Sequence, residues 1–195
     1  MRQLIIKCSR AVLGWPPAPA TFLEKQTLIT RKARELGLKV FVETGTYLGE
    51  MIEAQRPHFN KIISIELNTE LFRAARTKYS GEPQIQLFQG DSGIVLHDAV
   101  KELDEPALFW LDAHYSRSDT AGGDADAPIL KELSCLTARN QPRDTILIDD
   151  ARLFGPKSGY PKLKVIRQFA AQHWPEHFCA VETDVICIQP RDRVS

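Results

Sequence analysis

The sequence predicts an α/β protein with a doubly wound, mostly parallel sheet, and three observations predict it. Five short apolar runs, rich in β-branched and aromatic residues, alternate with helix-patterned stretches from Lys39 onward. That alternation is the signature of β/α units joined by right-handed crossovers. Each run ends in polar or acidic residues, as strands do where a ligand crevice opens at their carboxyl ends. The chain then closes on two β-runs, 178–182 and 185–189, parted only by Thr183-Asp184. This reads as a hairpin that sets one antiparallel strand in the sheet.

In chain order, residues 1–20 read as an N-terminal arm, because Trp15-Pro16-Pro17-Ala18-Pro19 suits neither a helix nor a central strand. Residues 21–195 read as one domain. Thr21 and Glu24 form a capping-box pattern that starts the first helix. Phe22, Ile29, Ala33 and Leu36 share one face of it, and Gly37 stops it. Lys25 and Gln26 lie in its first turns, from which they could point into a neighbouring crevice; two solvated side chains are the favoured reading. The β-runs are 39–44, 61–66, 85–89, 107–111 and 144–148. Helices are expected near 48–56, 69–79, 93–103, 127–138 and 162–173, with Leu71, Phe72, Ala75 and Tyr79 inward on the second of these.

Composition narrows the function classes. The 195 residues carry a formal net charge of zero, so no general electrostatic attraction to nucleic acid or to an anionic membrane is expected. The longest apolar runs are too short to span a bilayer. Lys7 and Arg10 interrupt the apolar runs near the start, which makes a poor signal peptide. Cys8, Cys135, Cys179 and Cys187 show no metal or redox spacing. Cys179 and Cys187 look strand-borne and buried. A cytoplasmic protein is expected.

The central stretch runs from Lys39 to Glu50, a strand that passes into Glu43-Thr44-Gly45-Thr46 and then, through Gly49, into a helix. Gly45 and Gly49 leave room for backbone to approach a ligand. Parallel strands put Glu43, Glu66, Asp91, Asp112, Asp149 and Asp150 along one rim. Any one of these acids can serve the local loops alone. Six together repel one another, and a cationic ligand or a metal would offset that. Glu66 stands 21 positions after Gly45, where an acid binds a ribose hydroxyl pair in dinucleotide-type folds. Asp91-Ser92 ends the next strand and suits an adenine edge, although Ser92 equally suits a helix cap. Neither G-x-G-x-x-G nor G-x-x-x-x-G-K-[ST] occurs. A sulfonium and an amino-acid group therefore fit this acidic crevice better than a pyrophosphate does.

Five motifs stand in order: Val42-Glu43-Thr44-Gly45-Thr46-Tyr47-Leu48-Gly49, Ile63-Ser64-Ile65-Glu66, Gly90-Asp91-Ser92-Gly93, Trp110-Leu111-Asp112-Ala113-His114 and Ile146-Leu147-Ile148-Asp149-Asp150. Over about residues 21–190 this set resembles the class I S-adenosylmethionine-dependent methyltransferases. The resemblance implies a Rossmann-like, seven-stranded, mostly parallel sheet with a reversed last strand. It implies that Glu43, Thr44, Gly45, Thr46 and Gly49 surround the methionine part of the cofactor, with Asp112 at the same edge. It also implies Glu66 on the ribose, and Asp91 with Ser92 near the adenine.

The later acids resemble those of magnesium-dependent O-methyltransferases of sugars and natural products, the macrocin type. That resemblance implies a metal triad of Asp112, Asp149 and Asp150, which suits a hard, oxygen-seeking ion. The plainer reading is that Asp149-Asp150 shapes its loop. One departure is clear: the histidine expected two positions after the second aspartate of the pair is Arg152 here. His114 is then the candidate base, beside Asp112 as the other catalytic residue. A metal neighbour and a packing residue are other readings of His114. Arg152 and Tyr115 are placed at the acceptor, with Arg152 suited to an anionic group. Loop 116–126, with Gly122-Gly123, is placed to close over the acceptor.

The function expected is direct methyl transfer from S-adenosylmethionine to a small hydroxylated acceptor, with Mg2+ assistance and no nucleic-acid or membrane partner. Three rivals carry their own marks. A nicotinamide oxidoreductase needs the missing glycine loop. A binding or regulatory protein of the same fold would keep the cofactor pocket without turnover, and Arg152 keeps that reading open. A metal hydrolase would leave Glu43 and Glu66 without a role. The identity of the acceptor and the oligomeric state have no signature in the sequence.

Overall fold

The computed structural model describes residues 18–112, 128–139, 141–155 and 160–191. Most of the expected arm, His114, Tyr115 and loop 116–126 lie outside the described residues. The elements are α1 (Phe22–Leu36), β1 (Val40–Thr44), α2 (Glu50–Gln55), β2 (Lys61–Glu66), α3 (Thr69–Lys78), β3 (Ile85–Gln89), α4 (Ser92–Val100), β4 (Ala107–Leu111), α5 (Pro128–Leu136), β5 (Thr145–Ile148), α6 (Leu163–His173), β6 (His177–Glu182) and β7 (Val185–Pro190). A 3-10 turn at Ala151–Leu153 follows β5. No helix among the described residues is long and apolar enough to cross a membrane.

The seven strands form one sheet in the order β3-β2-β1-β4-β5-β7-β6. Strands β1 to β5 pair in parallel, and β7 is antiparallel to both β5 and β6. This is the Rossmann-like sheet with a reversed strand that the alternation and the closing hairpin predict. Thr183 and Asp184 both have positive φ, 50° and 58°, as the two central residues of a tight hairpin turn require. The strand order reverses between β1 and β4, and in such sheets the ligand crevice opens there.

Side chains alternate between the two faces of the sheet. Val40, Val42, Ile63, Ile65, Phe109, Leu111, Ile146 and Ile148 pack with α4, α5 and α6. Phe41, Ile62, Leu108, Trp110, Leu147 and Cys187 pack with α1, α2 and α3. Cys187 is buried as expected, whereas Cys179 is only half-buried. Ala75 and Tyr79 of the α3 region are buried, with Leu71 and Phe72 half-buried.

Helix α1 starts as expected. The Thr21 hydroxyl accepts from the Glu24 amide, and the Glu24 carboxylate accepts from the Thr21 amide, which satisfies two donors that the first turn leaves open. Gly37 closes the helix at φ 66°. The buried stripe is Leu28, Ile29, Lys32 and Ala33 rather than one that includes Phe22, which is exposed. The far end of α1 is tied to the hairpin: Arg31 donates to Glu182 at 2.8 Å, and Lys32 to Gln189 at 2.6 Å.

At the amino edge of the sheet, Arg139 and Asp144 form a buried ion pair at 2.7 Å. Arg139 also donates to the carbonyls of Val100, Leu103 and Glu105, and Asp144 accepts from the Ala107 amide. The pair sets the start of β5 against the start of β4. Arg139→Met leaves a buried carboxylate and three carbonyls without their donor. It is expected to cost about 3–5 kcal/mol, read as a drop in the urea midpoint.

Candidate functional site

Strand register builds the site. The last paired rungs are Thr44↔Ile65, Thr44↔Leu111 and Leu111↔Ile148. One residue further on stand Glu66, Gly45, Asp112 and Asp149, side by side across the carboxyl edge. The Gly45 amide donates to the Ile65 carbonyl and the Asp149 amide to the Leu111 carbonyl, which continues the pairing into the turns. The period of two then chooses the face. Glu43, Glu66, Asp112 and Asp149 share the parity of Trp110 and Leu147 and so fall on the α1–α3 side. Thr44 falls on the α5 side.

Gly45 has φ 90°, and a Cβ there would stand 3.7 Å from the Asp112 Cβ. The position is therefore limited by backbone conformation and flanked by the Asp112 side chain. Gly49 has φ 76° and lies against the Tyr79 ring, whose hydroxyl donates to the Gly49 carbonyl at 3.1 Å. Tyr47 also has positive φ, 48°. That uncommon backbone turns the Tyr47 amide to Glu66 Oε2 at 2.8 Å, while the Asn68 amide reaches Glu66 Oε1 at 2.8 Å. Each Glu66 oxygen is thus held by one loop amide and keeps a lone pair for another partner.

Glu43 is 1% exposed. Its Oε1 accepts from the Ser64 hydroxyl at 2.7 Å, and the Ser64 and Thr46 hydroxyls are 2.5 Å apart. Burial pushes the Glu43 carboxyl up to about 8; Ser64 opposes this, and Asp112 and Glu66 add to it. With no cation against it among the described residues, Glu43 favours holding its proton at neutral pH.

Asp91 is the N-cap of α4 and accepts from the Gly93 amide at 2.9 Å. The cap thus falls to Asp91, not to Ser92. Ser92 instead donates to Glu132 Oε1 at 2.5 Å. Glu132, on α5, was not among the expected site residues. It is buried, and burial pushes its carboxyl up to about 7, with Ser92 opposing. The signal was present: Ile129, Glu132, Leu133 and Leu136 form one buried stripe, so an acid sits in an apolar helical pattern. The Thr44 hydroxyl, on that side of the sheet, is buried and faces Glu132, whose rise it opposes together with Ser92.

Asp149 and Asp150 are not arranged as the expected magnesium ligands. Lys25, expected to be solvated, reaches Asp149 Oδ2 at 2.5 Å and Asp150 Oδ1 at 3.4 Å. Asp149 Oδ1 accepts the Asp150 amide at 2.7 Å. Asp150 has φ 54° and also accepts from Arg152 Nη1 at 2.7 Å. The same Nη1 donates to Asp184, whose Oδ1 takes the Arg152 amide at 2.7 Å. Arg152 is therefore first a strut between the loop after β5 and the hairpin turn, rather than a free fork for an acceptor anion. Among the described residues, no three His, Cys, Asp or Glu side chains converge to hold an ion. With two internal cations on the pair, the triad Asp112, Asp149 and Asp150 does not fit a divalent metal as arranged.

Burial weakens the Lys25 charge, but Asp149 and Asp150 more than offset it and hold its pKa above the usual lysine range. Burial pushes the Asp149 carboxyl up, Lys25 opposes, and Asp150 and Asp112 add to the rise.

No protein-family model and no curated protein matches the sequence. Solved structures do match in fold. The O-methyltransferase TomG of Streptomyces achromogenes, in complex with S-adenosylmethionine, superposes with TM-score 0.57 at 13% identity, over 89% of this chain and 82% of that one. The N-methyltransferase NodS of Bradyrhizobium japonicum, in complex with S-adenosylhomocysteine, gives 0.57 at 13% identity, over 87% of each. The 23S rRNA methyltransferase ErmE gives 0.54 at 17% identity, over 85% of this chain and 68% of that one. The chain has the fold of the class I S-adenosylmethionine-dependent methyltransferases.

The raised carboxyls make a pH prediction. Folded Glu43 and Glu132 hold protons at pH values where the unfolded chain, near 4.5, has lost them. The share of stability they contribute is therefore present below that value and is lost as pH rises towards about 8. Glu43→Gln keeps a neutral group and removes the Glu43 share of the dependence. Its melting temperature relative to the unsubstituted protein is expected to rise steadily from about pH 5 to about pH 8, read from paired thermal melts without ligand.

Proposed function

We propose that the chain is an S-adenosylmethionine-dependent methyltransferase that methylates an oxygen of a small hydroxylated acceptor, such as a sugar or natural product. The observation that carries this reading is the held Glu66 carboxylate beside the positive-φ backbone of Gly45, on the row that also bears Asp112 and Asp149. The cofactor fits the residues present. Glu66, fixed by two amides, has lone pairs for a ribose hydroxyl pair. Gly45 leaves space beside Asp112. Leu67, next to Glu66, and Ile94, two residues beyond Ser92, are both exposed; they supply apolar contact for a flat base near Asp91 and Ser92. Glu43, Thr46 and Gly49 complete the methionine side.

When bound, S-adenosylmethionine supplies an electrophilic methyl group on a cationic sulfur. The chain's part is to position the two partners, which accounts for much of the barrier in such a transfer. The acidic row favours the cationic centre, and Glu43 can release its proton when a positive charge approaches. The charged cluster of Lys25, Asp149, Asp150 and Arg152 forms the far side of the row and suits an acceptor that brings hydroxyl groups. His114 and Tyr115 stand two and three positions beyond Asp112 in the chain, and we assign them to the base and to acceptor contact. A small acceptor is favoured over nucleic acid by the zero net charge of the chain. No described helix is a membrane span, and we place the reaction in the cytoplasm.

Calorimetric titration with S-adenosylhomocysteine is expected to show binding, and titration with NAD none. A charged hydrogen bond is worth about 1.5–3 kcal/mol, so Glu66→Ala should weaken binding roughly tenfold or more. Unchanged affinity in that variant would remove the ribose assignment. Failure of the unsubstituted protein to bind would remove the cofactor.

A further inference from the structure

We propose that Lys25 is the resident cation of the acceptor site: its ammonium stands against Asp149 and Asp150 where the resemblance expects a divalent metal, and the site works without one. The role at an acceptor rests on the methyltransferase reading above, whereas the choice between lysine and metal is tested without it.

The argument starts from α1. The capping box sets its first turn, and Lys25 makes the first full helical bond, its amide to the Thr21 carbonyl at 3.1 Å. The apolar stripe and the ties of Arg31 and Lys32 to the hairpin lay the helix along the sheet face that bears Asp112 and Asp149. Lys25 is thereby delivered to the end of β5, 124 residues away in sequence. Its side chain is 15% exposed and that of Asp149 2%, so the contact is largely shielded from solvent.

The coordination count then works against a metal. A hard divalent ion needs carboxylate oxygens that are free to turn towards it. Asp149 Oδ2 carries Lys25 and Oδ1 the Asp150 amide, so each oxygen keeps a lone pair but neither can turn to an ion without giving up the contact it holds. Asp150 Oδ1 takes both Lys25 and Arg152 Nη1. Lys25 stands against both carboxylates and Arg152 is shared between Asp150 and Asp184, so an added divalent charge would meet Lys25 at close range. The ammonium has three N–H groups and gives two of them to Asp149 and Asp150. The third has no partner among the described residues and is available to an acceptor oxygen. A lysine can thus supply positive charge and a donor at this place, although it cannot bind two acceptor oxygens as a metal would.

The test titrates Mn2+ into the full-length protein and reads free Mn2+ by electron paramagnetic resonance, for the unsubstituted chain, Asp149→Asn, Lys25→Met, Lys25→Arg and Lys25→Met/Asp149→Asn. Expected is no tight uptake by the unsubstituted chain or by Lys25→Arg. Lys25→Met should gain a single Mn2+ site, at least about tenfold tighter than any in the unsubstituted chain, and lose it with Asp149→Asn. Tight uptake of Mn2+ by the unsubstituted chain that disappears in Asp149→Asn overturns the proposal, because the pair is then a metal site from which Lys25 withdraws. A folded Lys25→Met that gains no site overturns it too. Circular dichroism reports folding; should Lys25→Met not fold, Lys25→Gln takes its place, and the unsubstituted chain alone still decides between metal and lysine. Binding of S-adenosylhomocysteine is measured separately, so failure of the cofactor reading leaves this result interpretable.

Discussion

Everything at the functional edge follows from the crowding of carboxylates there. Parallel strands in register end together, and their next residues are Glu66, Asp112 and Asp149, with Glu43 one turn of the pleat below. Charges so close and so buried cannot all stay ionised without partners. The molecule answers in three ways. Glu43 and Glu132 keep a proton. Glu66 spreads its charge over two loop amides. Asp149 and Asp150 are met by Lys25 and Arg152. The balance also leaves the crevice receptive to a cation, because an arriving positive charge can take over what the protons on Glu43 and Glu132 now do.

The two cations that neutralise the last pair are held from distant parts of the chain. Lys25 stands in the first described helix, and Arg152, in the turn after β5, is held by Asp184 of the closing hairpin turn. One is aimed by a helix that packs on the sheet and the other is braced by the sheet's own last hairpin. The same contacts that dock α1 on the hairpin also aim Lys25, so the stability of that docking and the charge of the site are one problem. A loss of the Arg31–Glu182 and Lys32–Gln189 ties would loosen the fold and uncover the two aspartates together.

Much of the site was legible in the sequence. The β/α alternation, the reversed hairpin strand, the capping box at Thr21 and the acids at the strand ends all rest on local pattern, and the structure shows each of them. Glu132 was legible too, as an acid inside the stripe Ile129, Leu133 and Leu136, but a single polar residue in an apolar pattern does not say what it faces. Arg152 was read as an acceptor contact because its loop follows a strand end. Its partners within the chain are Asp150 and Asp184, and the second is decided by how the hairpin folds back on that loop.

The sequence by itself determined the order of elements, the edge on which the acids gather and the face each strand residue takes, since these follow from periodicity and from chain direction. Only the tertiary structure decided how those acids are neutralised. Coulomb and hydrogen-bond partners depend on distances of a few ångströms between groups more than a hundred positions apart, as with Lys25 and Asp149. No local pattern in α1 marks Lys25 as different from a solvated lysine. It becomes part of the site because the apolar stripe beneath it, packing on the sheet, leaves its ammonium above the end of β5.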